Sequence, residues 1–174
     1  VLLVSLSKTD ETCPGNGDGV ATASPSGGTS TAYFYKWFRN GSPTGDVVPS
    51  ISGLTSGWYS VVITDAGSMS CTIADSIEVI ALNTASVNPT GINISNNDVC
   101  QGTAKGLTVL GGSLGTGAQW TWYLDATFTT SAGPDGVTLT VDPAVDTDYW
   151  ARAEGTCNNS ASVTGTVLTG LPST

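Results

Sequence analysis

The feature that most constrains this chain is a stretch that occurs twice. Residues 59–71 and 149–157 each begin with a tyrosine, continue with alternating inward and outward positions, and end in an acid, a glycine and a cysteine. A period of two is the signature of a β-strand, because successive side chains point to opposite faces. The duplication therefore predicts one β-module that is used twice.

The landmarks upstream of each copy also match. Cys13 precedes an aromatic strand at 33–38, and Cys100 precedes one at 120–123, with nearly equal cysteine separations in the two halves. The offset between the copies is too long for a solenoid repeat and suits a small β-domain. We predict two tandem domains, residues 1–85 and 86–174.

The pattern of strands and turns indicates the fold class. Short alternating strands recur between clusters of turn residues, and each half has the order Cys, Trp, Tyr, Cys. In the strand at 33–38, the period of two places Trp37 in the core and Lys36 outside, and a further short strand is predicted at 47–51. This arrangement predicts an all-β chain of two immunoglobulin-like antiparallel β-sandwich domains. The tyrosine lies farther from the second cysteine than in antibody domains, which favours a relative of that architecture.

The four cysteines point to an oxidising, extracellular location. They show no CxxC spacing, and the chain has no histidine to complete a zinc site. Four cysteines allow three connectivities. The duplication favours the one that keeps a disulfide inside each domain, Cys13 with Cys71 and Cys100 with Cys157.

Composition excludes several functions. The net charge of −9 opposes binding to nucleic acid and anionic membranes. No apolar run approaches the length that spans a bilayer, and the first residues lack the features of a signal peptide, so we expect no membrane insertion and a mature or excised piece. Without histidine, and with oxidised cysteines, Ser-His-Asp and Cys-His catalysis have no components. We expect no enzymatic activity.

Particular motifs carry a family resemblance. They are 13–19 (CPGNGDG), 33–37 (YFYKW) and 54–65 (LTSGWYSVVITD) in the first half, and 111–118 (GGSLGTGA), 120–123 (WTWY) and 149–157 (YWARAEGTC) in the second. On these motifs the first half resembles the SprB-type repeats of Bacteroidota gliding adhesins, and the second half resembles the Ig-like repeats of the same secreted giant surface proteins. The resemblance implies export by type IX secretion and a place at the cell surface.

Calcium is the one metal that the sequence suggests, because extracellular β-repeats often carry oxygen-ligated Ca²⁺. No stretch has the spacing of an EF-hand or RTX loop, and the alternative is that the acids only keep an exported surface soluble. No other cofactor is expected. The candidate ligands are the loop acids Asp18, Asp65, Asp142, Asp146 and Asp148.

Three side chains are candidates for surface roles. Trp58 and Trp150 lie beside the core tyrosines in matching places of the repeat, and alternation points both away from the core. They would stack on a glycan or pack against a neighbour. Ser76 lies in Asp75-Ser76-Ile77, which resembles the O-glycosylation site of Bacteroidota.

The amino-terminal strand is apolar on both faces. Leu2, Val4 and Leu6 suit the core, which leaves Val1 and Leu3 without an assigned partner. We expect these two residues to form an assembly strand against a preceding domain or a neighbouring subunit.

Together these features predict a non-catalytic structural or adhesive segment of a long secreted surface protein, such as a filament, stalk or gliding adhesin. The expected partners are neighbouring repeats, copies of the same protein and surface glycans. The alternative is an accessory carbohydrate-binding module of an exported hydrolase. Binding on a glycan array that depends on Trp58 or Trp150 would favour that alternative.

Overall fold

The computed structural model describes residues 1–67, 71–97 and 102–169. Within these ranges the chain forms thirteen β-strands and no helix. It divides into two compact units, Val1–Asn83 and Thr84–Thr174, called here the first and second unit. The division lies two residues before the boundary that the sequence suggested. The predicted all-β class is confirmed.

The first unit contains two antiparallel sheets. Strands β1, β2 and β5 form the three-stranded sheet, and the other sheet has the order β4-β3-β6-β7. This is the topology of an immunoglobulin-like sandwich, in which the third and sixth strands pair at the centre of one sheet. The strands are β1 (Leu2–Thr9), β2 (Gly19–Gly27), β3 (Tyr33–Arg39), β4 (Ser42–Pro43), β5 (Ser50–Leu54), β6 (Gly57–Asp65) and β7 (Thr72–Val79).

The core of the first unit lies between these two sheets. Ala21 and Ile51 come from one sheet, and Trp37, Tyr59 and Val61 come from the other. Trp37 is fully buried, as its place in the alternation predicted, and its Nε1–H donates to the carbonyl of Val48 at 2.8 Å. Burial of a ring this large requires that its one polar atom find a partner. The indole therefore fixes the loop before β5 as well as the core.

The second unit repeats the plan with six strands. Its sheets have the orders β11-β9-β8 and β10-β12-β13. Trp122 takes the place of Trp37, since it is fully buried and donates Nε1–H to the carbonyl of Gly136 at 2.9 Å. The strands are β8 (Gly91–Ile94), β9 (Lys105–Leu110), β10 (Gln119–Tyr123), β11 (Thr138–Val141), β12 (Thr147–Glu154) and β13 (Val163–Val167).

Two buried carboxylates brace the ends of the first unit. Glu11 accepts N–H bonds from Gly17 at 2.9 Å and Ser56 at 2.8 Å at one end. Asp65 accepts bonds from Thr29 and Gly67 at the other end. Both side chains are fully buried, so each carboxylate replaces water with backbone donors from two separate loops. The acids hold the connections between strands in place.

The predicted pairing of Cys13 with Cys71 is wrong. Cys13 is disulfide-bonded, whereas Cys71 is a free thiol. Cys157 is disulfide-bonded as well, and Cys100, its predicted partner, lies outside the described residues. The expectation of one disulfide inside each domain therefore fails for the first domain.

The geometry of β6 shows why Cys13 and Cys71 do not pair. Cys13 follows Glu11, which is bonded beside the start of β6, whereas the carbonyl of Cys71 accepts the N–H of Asp65 at its end. A strand of this length spans about 26 Å, and disulfide-bonded residues have Cα atoms about 4–7 Å apart. The two cysteines lie at opposite ends of the sheet.

Candidate functional site

The outer surface of the four-stranded sheet is the most distinctive surface of the first unit. Alternation along β3 and β6 sends large apolar side chains outward as well as inward. Phe34 is 55% exposed and Trp58 is 54% exposed, and Phe38 and Val62 are half-buried beside them. We call this surface the aromatic face; it consists of Phe34, Lys36, Phe38, Trp58 and Val62.

The strand register sets the arrangement of this face. Phe38 is opposite Ser60 in β6, and Ser60 is opposite Ser76 in β7. Trp58 precedes Ser60 by two residues, which makes it a diagonal neighbour of Phe38, about 7–8 Å away between backbones. A row of hydroxyl groups thus lies beside two aromatic rings.

Lys36 supplies the positive charge of the aromatic face. It is exposed, as the alternation predicted, and its Nζ lies 5.3 Å from the centre of the Phe38 ring. A cation at this distance is attracted by the electrons of the ring. Glu78, opposite Trp58 on β7, supplies a negative charge beside the face. The face can therefore offer apolar, hydrogen-bonding and charged contacts to one partner.

The corresponding surface of the second unit is covered by its own chain. Phe128 packs edge-on against Tyr123 with ring centres 5.4 Å apart. The Arg152 guanidinium lies 3.9 Å from the centre of the Phe128 ring and forms an ion pair of 2.6 Å with Glu154. Tyr123 Oη also donates to Glu154 at 2.6 Å. This cluster closes the surface that the first unit leaves open.

Asp125 holds the covering loop in shape. Its carboxylate accepts N–H bonds from Thr127 at 2.9 Å, Thr129 at 3.2 Å and Thr130 at 2.7 Å. The side-chain hydroxyl of Thr127 and these N–H groups hold the pKa of Asp125 far below its ordinary value. Phe128 itself adopts a positive φ of 58°, a conformation that such a network can maintain. The loop is thus fixed over Tyr123.

The two candidate tryptophans both point away from the core, but they are not equivalent. Trp58 precedes Tyr59, whereas Trp150 follows Tyr149 and lies opposite Tyr123. Trp150 is half-buried, so it offers less ring surface than Trp58. The expectation that they occupy matching places is wrong, because one residue of offset changes the strand neighbours of the ring. Trp58 alone belongs to an open face.

Ser76 lies on the same outer surface as Trp58. It is exposed on β7, and its backbone N–H donates to Asp75 Oδ1 at 2.8 Å. Its hydroxyl is therefore accessible to solvent. O-glycosylation at Ser76 stays a prediction, and a glycan there would lie beside the aromatic face.

Four of the five acids proposed as calcium ligands accept hydrogen bonds from neighbouring protein groups. Asp18 accepts from Thr12, and these bonds lower its pKa; Asp146 accepts from Thr169 N–H at 2.7 Å, with the same effect. Asp148 accepts from Thr166 Oγ1 at 2.6 Å, and Asp65 is the buried brace described above. Asp142 is exposed. In the three described ranges, no group of three or more acidic or cysteine side chains is arranged to hold a metal ion.

The structure leaves Val1 and Leu3 on the surface. Val1 is fully exposed and Leu3 is 56% exposed, whereas Leu2 is buried and Val4 and Leu6 pack against the core. The division of β1 into a core side and an outer side is therefore confirmed. A partner for the outer side stays a prediction.

Sequence reasoning missed three residues that shape these surfaces. Glu11 was not distinguished from the other acids, and Phe128 and Arg152 were not recognised as partners. An acid within a segment otherwise rich in turn residues is a weak signal, since solvated and bracing carboxylates look alike in sequence. The partnership of Phe128 with Arg152 depends on a loop conformation that no periodicity reveals.

Strand order, core and outer surface together define an all-β protein of the immunoglobulin-like class with one open aromatic face. No helix that could cross a membrane occurs in the described part of the chain. No protein-family model matches the chain, and no curated protein is similar to it.

The chain aligns with several solved structures at low sequence identity. Three N-terminal domains of the outer capsid protein Hoc of bacteriophage RB49 are 13% identical over 97% of this chain, with a TM-score of 0.49. A Dscam structure concerned with isoform specificity is 13% identical over 95% of it, with a TM-score of 0.40. The amphioxus IgVJ-C2 molecule is 12% identical over 95%, with a TM-score of 0.36. The chain spans 59%, 47% and 96% of these structures, respectively.

Proposed function

We propose that this chain is a structural and adhesive segment of a long secreted surface protein, and that the aromatic face of the first unit is its adhesive surface. In this proposal the protein is a Bacteroidota surface adhesin or filament that type IX secretion exports. The chain acts without catalysis, at the cell surface, and its partners are surface glycans, neighbouring repeats or other copies.

One observation carries the proposal. The two units share a fold, yet the outer surface is open in the first and closed by Phe128 in the second. Large exposed apolar side chains that are grouped on one face are typical of interaction surfaces, whereas singly scattered ones are normal. Phe34 and Trp58 are grouped with Phe38 on one sheet. In the second unit the corresponding ring, Tyr123, packs against Phe128 of the unit's own loop. This contact supports a role for the second unit as a spacer.

Adhesion of beads that carry the full chain tests this role. Beads coated at equal density should adhere under flow to glycan-coated and apolar surfaces. A Phe34→Ser/Trp58→Ser double variant should reduce adhesion at least tenfold, because both rings are more than half exposed and support no core residue. Unchanged adhesion by the folded double variant would reject the assignment of this face.

The matched control changes exposed apolar residues elsewhere in the same unit. Val47 and Val48 are 70% and 46% exposed on the loop before β5, so Val47→Ser/Val48→Ser removes comparable apolar surface outside the face. The control should adhere like the unchanged chain. Equal losses of adhesion in both variants would indicate non-specific hydrophobic adhesion.

The row of hydroxyls beside Trp58 supports the second candidate, a carbohydrate-binding module. Ser60 and Ser76 lie opposite each other next to the ring, an arrangement that suits stacking on a sugar with hydrogen bonds to its hydroxyls. On a glycan array, defined binding that Trp58→Ala abolishes would favour this candidate. Adhesion without any glycan binding would favour the structural and adhesive role.

A further inference from the structure

The first residues of the second unit close one end of that unit. Val87 and Ser113 exchange two backbone bonds, with Val87 N–H to Ser113 O at 2.9 Å and the reverse bond at 3.4 Å. Thr116 N–H donates to the carbonyl of Thr84 at 3.0 Å. Residues 84–88 therefore lie as a short added strand along the connection between β9 and β10.

The same segment also binds the connection between β12 and β13. Asn158 Oδ1 accepts the N–H of Ser86 at 2.7 Å, and Asn158 Nδ2 donates to the carbonyl of Ser86 at 3.0 Å. Ser86 Oγ accepts the N–H of Gly115 at 3.0 Å, and Ser86 is only 7% exposed. Ser86 thus joins the two connections.

Close approach of this segment explains two glycines of the β9–β10 connection. A Cβ at Gly112 would lie 2.8 Å from the carbonyl oxygen of Val87. A Cβ at Gly115 would overlap the backbone of Thr84 and Ala85. Side chains at either position would displace the segment, so the connection is shaped to receive a backbone.

The same end of the first unit is open. The connection between β2 and β3 borders a depression of about 570 Å³ that is lined by Gly27, Gly28, Thr29, Ser30, Thr31 and Tyr33. Leu2 pairs with Gly27, so Val1 lies at the mouth of this depression, fully exposed. A chain that continued β1 beyond Val1 would enter it directly.

Asp65 holds the connection between β2 and β3 without an added strand, but part of the backbone of this connection makes no hydrogen bond in the part of the chain that the structure describes. Asp65 holds the N–H of Thr29 and thereby performs the role that the carbonyl of Val87 performs for Ser113. Within the described residues no hydrogen bond engages Thr31. Its counterparts in the second unit, Gly115 and Thr116, both bond to residues 84–88.

We propose that the depression at 27–33 is the seat of an extended polypeptide segment that continues β1 on its amino side, as residues 84–88 do for the second unit. The inference rests on the proposed role as a repeat in a longer surface chain. Asp65 preorganises the seat, and Thr31 supplies backbone bonds to the occupant. Small side chains suit the position corresponding to Ser86, because that residue is enclosed between two connections.

The test extends the full chain with the segment that the second unit already uses. Thr-Ala-Ser-Val-Asn, the sequence of residues 84–88, is placed directly before Val1, and Gly-Gly-Ser-Gly-Gly is the control extension. Amide hydrogen exchange should slow at least tenfold around Thr31 in the first chain only. Identical exchange in the two extended chains would overturn the proposal.

Two further experiments test whether the protection arises in the depression itself and whether it requires a segment attached to the same chain. Thr31→Trp, whose ring would fill the depression, should abolish the difference between the two extensions. Persistence of the difference in that variant would place the effect elsewhere and overturn the proposal. A free Thr-Ala-Ser-Val-Asn peptide that protects the unextended chain better than the attached segment would also overturn it, since a separate copy would then be the source. Bead adhesion is measured in parallel, so failure of the seat is distinguishable from failure of the aromatic face.

Discussion

Asp65 accepts both the backbone N–H of Thr29, at 2.5 Å, and its hydroxyl, at 2.8 Å. One carboxylate at the end of β6 therefore fixes the connection that follows β2. A buried carboxylate that accepts several hydrogen bonds stabilises the fold strongly. Without it, each buried donor would be removed from water and would have no hydrogen-bond acceptor in its place. The bond links the two sheets of the first unit at their loop end.

Asp65→Asn should destabilise the first unit, because the amide has one acceptor oxygen and turns an N–H group toward other donors. We expect the melting temperature to fall by about 5 °C or more. Asp75→Asn is the control, since Asp75 is an exposed acid on the neighbouring β7. Circular dichroism melting of both variants measures the effect, and equal melting would show that Asp65 is not a brace.

Acid should weaken the first unit through both buried carboxylates. The N–H of Gly17 lowers the pKa of Glu11, and the N–H of Thr29 lowers the pKa of Asp65. The unfolded chain then takes up protons at higher pH than the folded chain. Their stabilisation is therefore complete above the ordinary carboxyl range, near pH 4, and is lost as the pH falls through the lowered values.

The measurement is the melting temperature as a function of pH. Between about pH 5 and pH 2.5, the unchanged chain should lose more stability than a Glu11→Gln/Asp65→Asn variant, which cannot protonate at these positions. The variant starts from a lower melting temperature at neutral pH. Parallel curves for the two chains would contradict the prediction.

Gly28→Ala and Gly41→Ala separate backbone strain from crowding. Both glycines have a φ of 84°, but a Cβ at Gly28 would lie 2.7 Å from Asp65 Oδ2, whereas a Cβ at Gly41 meets no atom within 4 Å. Each change should cost about 1 kcal/mol for the left-handed conformation. Gly28→Ala should cost clearly more in denaturant unfolding, because it also displaces the brace.

Trp37→Phe should destabilise the first unit by about 2 kcal/mol, because it opens space in the core and leaves the carbonyl of Val48 without its donor. Trp58→Phe is the matched change on the outer surface of the same sheet and should alter stability by less than about 0.5 kcal/mol. Urea unfolding followed by circular dichroism compares the two. A larger loss for Trp58 would place that ring, against expectation, in a structural role.

Cys71 should react with iodoacetamide in denatured, unreduced protein, because its thiol is free. Peptide mapping should then find carbamidomethyl at Cys71 and no linked peptide that contains it. Cys71→Ser should leave the melting temperature nearly unchanged. A mapped Cys13–Cys71 peptide would restore the pairing that the sequence suggested.

The strands could be predicted because their signal is local. Alternation located β3, β6 and β12 to within a residue or two, and it placed Trp37 inside and Lys36 outside. The predicted strand at 47–51 was less accurate. Val47 and Val48 are exposed on a loop that bonds to Trp37, and β5 begins only at Ser50. Apolar type alone does not distinguish a strand from a loop that supports a buried ring.

The cysteine pairing could not be predicted, because the duplication conveys order along the chain and not position along a strand. Cys13 and Cys71 have matching places in the order, yet the length of β6 separates them. The aromatic face was predicted only through Trp58. Its contrast with the second unit depends on Phe128, whose position follows from a threonine-rich loop wound around Asp125.

That loop has a consequence for how such modules diversify. The loop after β10 carries its own carboxylate, hydroxyls and ring, so it can cover the outer surface of a sheet without altering a core residue. A shorter loop at this place would expose the sheet again. In a chain assembled from related modules, the number and spacing of exposed aromatic surfaces would then be set by changes in one hairpin loop, while the scaffold stayed constant.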